Sequence, residues 1–143
     1  MNKFTKATTL TVLAVGASAL MANTLKIENA TPAKGPIEVR YQIVHVTKDG
    51  KVHYGPKTDS KITSQIDLHR KLAKNDKYVG IITDGITVKG KYIALPTWVQ
   101  DWQQKRSCSL VTDVKHPVGI VKFAMHKDSS GHSMNCGKEG GVV

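Results

Sequence analysis

The residues of this chain best suited to chemistry are its six histidines and two cysteines, and most of the soft ligands crowd toward one end. Met125, His126, His132, Met134 and Cys136 fall within twelve positions, with His116 a short way upstream. Imidazole, thioether and thiolate groups together suit copper or zinc. His132 and Met134 stand two apart, so His126, His132 and Met134 are the candidate ligands of a metal carrier. Cys136 argues against that use. Cys108 and Cys136 are the only cysteines, and an even count in a chain that carries an export signal reads as one disulfide. A bridged sulfur cannot ligate a metal. The expected state is therefore a Cys108–Cys136 bridge, with no motif that requires a cofactor.

Catalytic arrangements are sparse. Asp67 lies two residues before His69, which makes His69 a candidate base oriented by a carboxylate. His45 falls on the apolar side of an alternating segment, where a hydrogen-bonded core histidine is the simpler expectation. Gly131-His132-Ser133-Met134 has the beginning of a nucleophile elbow, but Asn135 stands where glycine is needed and no histidine follows to complete the order. A small hydrolase with a scattered histidine-centred site is thus an alternative, alongside the metal carrier, to the preferred reading.

That reading is a binding protein. Formal net charge is +10, which favours anionic partners such as acidic envelope polymers, anionic lipid headgroups and nucleic acid. Lysines and arginines are interleaved with acids along the chain, so sequence-specific nucleic-acid recognition is not expected. Basic residues adjoin tyrosines at Arg40-Tyr41, Lys77-Tyr78 and Lys91-Tyr92, and these six form the candidate binding face for a protein or an anionic envelope polymer.

Lys3 and Lys6 precede an uncharged, largely apolar run from Ala7 to Ala22 that ends in small residues, the layout of a cleavable signal peptide over 1–22. The run is too short and too rich in threonine to span a bilayer, which needs roughly 20 apolar residues. An exported domain of the periplasm or the secreted fraction is expected. Losing residues 1–22 would remove two lysines and no acid, leaving a body that is still basic.

Something must position these residues. Residues 23–36 are polar with little periodicity and read as a flexible leader. From Ile37, strict alternation through Val39, Tyr41 and Ile43 predicts a half-buried strand, and Asp49-Gly50 a hairpin turn into Val52–Tyr54. Ile62, Ile66, His69 and Ala73 share a helical face, which predicts a helix over Gln65–Asn75. Residues 78–95 read as a meander of short strands turning at Asp84-Gly85 and Lys89-Gly90. A second helix is expected from Pro96, with Trp98 and Trp102 a turn apart. Two further strands follow, Ser109–Val114 and Val118–Met125, and then a loop-like tail. The expected fold over 37–143 is a single α+β domain: an antiparallel sheet of five or six short strands, one or two helices on one face, and one disulfide.

Overall fold

The computed structural model describes residues 22–93, 100–105, 107–128 and 131–142. Apart from Ala22, the expected signal peptide lies outside these residues, as does the expected second helix up to residue 99. Among these residues ten strands follow in chain order. They are β1 (Asn23–Asn29), β2 (Ile37–Thr47), β3 (Val52–Tyr54), β4 (Thr58–Ile62), β5 (Gln65–Arg70), β6 (Asp76–Val88), β7 (Trp102–Gln104), β8 (Cys108–Thr112), β9 (Val118–Asp128) and β10 (Gly131–Gly140). The only helical element among the described residues is the three-residue 3-10 turn Gly90–Tyr92. The α+β expectation is therefore overturned: the protein is a β-sandwich.

One sheet runs β10-β9-β1-β5. It is mixed, because β1 lies parallel to β9 and antiparallel to β5. The other is built on the long pair β2 and β6. β3 and β4 share the outer side of β2, while β7 and β8 share the outer side of β6. Leu25, Ile27, Val121, Phe123 and Met134 of the first sheet meet Ile37, Val39, Ile81, Ile86, Val88 and Leu110 of the second in one buried cluster.

Four local expectations fail for identifiable reasons. Gln65–Arg70 is a strand, because period two also fits it: Ile66 and Leu68 turn inward while Gln65, Asp67 and His69 stay exposed. Pairing with β1 decides between two periods that a short segment satisfies equally. The expected leader contains β1, whose Leu25 and Ile27 are completely buried. Asp84-Gly85 does not turn the chain but is absorbed as an irregularity opposite Arg40 within the 13-residue β6. The glycine-rich tail forms β10, which pairs along its whole length with β9.

Other expectations hold. β2 and β3 form the hairpin, with Gly50 in the left-handed region at φ 88°. β8 and β9 lie where strands were expected. One more expectation fails, since Trp102 begins a strand rather than lying in a helix. The Cys108–Cys136 bridge is present and fastens β8 of one sheet to β10 of the other.

A cationic end built from the loops

Three connections meet at one end of the sandwich: the β2–β3 turn, the β5–β6 loop and the β8–β9 loop. Strand directions require this. β2, β5 and β8 all run toward that end, and β1 starts there beside β9, with Thr24 opposite Val118. Backbone hydrogen bonds join the loops, since the Lys48 amide donates to the Asn75 carbonyl and the Thr24 amide to the Pro117 carbonyl. The buried Asn23 amide group donates to Thr112 Oγ1 at 3.0 Å and to the Asp113 carbonyl at 3.1 Å. The loop cluster is held as a unit.

Lys48, Lys51, Lys71, Lys74 and Lys115 project from these connections, Lys77 stands at the start of β6, and all six are exposed. None forms an ion pair with a described acid. The three aspartates among them are occupied locally. Asp49 accepts from the Thr47 hydroxyl and the Lys51 amide, and the first of these holds its carboxyl below the usual carboxylate range. For Asp113, partial burial works upward, but the His116 amide and ring bonds outweigh it and the carboxyl again lies low. Asp76 accepts from the Ala73 amide at 3.0 Å and meets His45 Nδ1 at 2.8 Å. By contrast, the lysines elsewhere include several that are neutralised: Lys57 by Asp84, Lys89 by Asp101, and Lys122 by Glu139 and Glu28.

Between the loops lies a cavity of about 470 Å³ lined by Leu72, Ala73, Val114, Pro117 and Val118, with Lys48 and Lys74 among its walls. Val114 is 72% exposed and Val118 44%, so apolar surface opens directly beside free cations.

The residues singled out from the sequence do not assemble. Tyr41 points into the core and is 8% exposed, while the neighbouring Arg40 is exposed and held by Asp59 in a two-bond pair. Tyr78 is half-buried on the β6 face away from the core, with the Lys77 ammonium 5.4 Å from its own ring. Tyr92 sits at the opposite end, covering Gly35, with Lys91 4.9 Å from its ring. Only Lys77 of the six belongs to the cationic end.

Asp67 and His69 do not meet. Asp67 accepts from Gln65 Nε2, and the His69 ring bonds the Thr24 hydroxyl at 3.2 Å. Two histidine–aspartate contacts do form, His45 with Asp76 at 2.8 Å and His116 with Asp113 at 3.0 Å, and among the described residues no serine, threonine or cysteine hydroxyl or thiol bonds either ring. Met134 is fully buried in the core, His126 is exposed, and Cys136 is spent in the bridge. No group of three or more histidine, cysteine or acidic residues placed to hold a metal occurs among the described residues.

Fold and site together define a disulfide-fastened β-sandwich with a lysine-rich, apolar-lined loop end. No family model, curated protein or solved structure matches the chain.

Proposed function

We propose that this protein is a small exported binding domain that engages an anionic component of the cell envelope through its loop end. The observation that carries the reading is the six exposed lysines of that end, none of them ion-paired with a described acid. The Cys108–Cys136 bridge and the signal-like residues 1–22 support an oxidising destination. Lysines near an anionic surface contribute about 1 kcal/mol each at moderate ionic strength, and the attraction decays within a Debye length of about 10 Å. Six on one end suffice for binding that is non-specific in shape and steeply salt-dependent.

The test compares two triple variants of equal charge change. Lys48→Glu/Lys74→Glu/Lys115→Glu reverses the loop end, and Lys26→Glu/Lys61→Glu/Lys138→Glu reverses charge elsewhere. Affinity for poly-glutamate and for vesicles containing anionic phospholipid is measured in low salt. The loop-end variant should bind at least about a hundredfold more weakly than the control variant. Equal losses would show that charge acts through the whole body rather than through this end.

A further inference from the structure

Electrostatics alone leaves the cavity between the loops unexplained. A lysine patch meant for a flat polymer needs no apolar recess, yet Leu72, Ala73, Val114, Pro117 and Val118 line one of about 470 Å³. That volume lies in the range of about 300–1,000 Å³ typical of small-molecule sites, which are mostly apolar with a few placed polar groups. Exposed apolar side chains beside a recess cost free energy unless something covers them.

We infer that this recess is a ligand site for the acyl chain of an anionic amphiphile, with Lys48 and Lys74 receiving the charged headgroup. The inference rests on the proposed anion-binding role of the loop end and names the ligand class for it. Geometry sets the orientation. Asp76 lies in the inner wall, already engaged by the Ala73 amide and His45, so it offers an anionic head no donor and repels it. The head therefore stays at the lysines, and the chain runs along Val114, Pro117, Val118 and Leu72. Charge complementarity selects an anion over a neutral lipid, and the limited volume selects a single chain. The same chemistry is offered by a free fatty acid and by one chain of an anionic phospholipid.

Methylene burial makes the idea measurable. Each buried methylene strengthens binding by about fourfold, the equivalent of about 0.8 kcal/mol. Calorimetry of the full chain with hexanoate, octanoate, decanoate and dodecanoate, all as monomers, should show one site whose affinity climbs by about that factor per methylene and levels off once the recess is full. Ala73→Phe, at an exposed position on the cavity wall, should flatten the climb and weaken dodecanoate at least tenfold while leaving poly-glutamate affinity unchanged. Val114→Asn, an uncharged polar replacement on an exposed loop residue, should do the same, so the result does not hang on one variant's folding. Dodecanol should bind far more weakly than dodecanoate.

Affinity independent of chain length, or dodecanoate binding untouched by both variants, would overturn the acyl site while leaving the lysine reading standing. Dodecanol binding as tightly as dodecanoate would overturn the anionic class. Unchanged poly-glutamate binding in the loop-end lysine variant would instead sink the proposed function itself. With vesicles of anionic phospholipid, loss of binding in Ala73→Phe identifies a membrane chain as the source, and loss of dodecanoate alone identifies a free one.

Discussion

Replacing both cysteines, Cys108→Ala with Cys136→Ala, isolates the contribution of the bridge between the sheets. The cysteines are 28 residues apart in sequence, and closing a loop of that size in the unfolded chain stabilises the fold by about 3.5 kcal/mol on chain-entropy grounds. The folded state gives no reason for that figure to be lost to rearrangement. β9 and β10 stay paired without the sulfurs, and the Val142 amide still donates to the Val111 carbonyl to hold the chain's end against β8. Cys108 is buried and Cys136 packs against the core, so a further fraction of a kcal/mol follows from lost packing. In urea, with a slope of about 1–3 kcal/mol per molar for a domain of this size, the midpoint should fall by about 1–4 M. Circular dichroism and tryptophan fluorescence should report the same midpoint if unfolding is two-state. Wild-type protein unfolded in the presence of a strong reductant should match the double variant within about 1 kcal/mol. A loss below about 1 kcal/mol would refute the reasoning, because it would mean that the unfolded chain gains almost no freedom when the two sheets are uncoupled.

Four further outcomes are expected. Ile27→Ala should cost about 2–5 kcal/mol in the same urea experiment, because the residue is wholly buried in β1; a silent substitution would restore the mobile-leader reading. Gly80→Ala sets a methyl group against the Leu110 carbonyl oxygen and 2.7 Å from Val111 Cγ1, and should lower stability by about 1–3 kcal/mol without altering the far-ultraviolet spectrum. His45→Leu removes one of the partners of the nearly buried Asp76 and should cost about 1–3 kcal/mol, whereas Asp76→Asn in that background should recover part of it. The carboxyls of Asp49, Asp59 and Asp101 are held low, chiefly by the Thr47 hydroxyl, the Arg40 guanidinium and the Gly90 amide respectively. A carboxyl titrating lower in the folded than in the unfolded chain stabilises fully above the usual carboxylate range and loses that effect as pH falls through its folded value. Thermal midpoints should thus drop as pH falls below about 4, and Asp101→Asn should make the drop shallower.

Several features of the protein were legible before any coordinates. Alternation from Ile37 to Ile43 depends only on which side chains avoid water, so β2 was readable from local pattern. The Asp49-Gly50 turn was readable too, because a positive φ is a property of the residue that adopts it. Two cysteines leave only one intramolecular pairing, and the bridge followed from counting. Long-range partners decided the rest. Gln65–Arg70 satisfies both the helical and the extended period, and only the free edge of β1 selects the strand. Asp84-Gly85 has the chemistry of a turn but lies beside β2 over its full length, where continuing the ladder satisfies more backbone groups than reversing would. The polar tail became β10 because β9 offered it an unpaired edge and the bridge held it there. Lys48, Lys74 and Lys115 are tens of residues apart, and nothing local to any of them marks it out. They share one end because three strands happen to run toward it, and strand direction is settled by pairing between distant segments rather than by any segment alone.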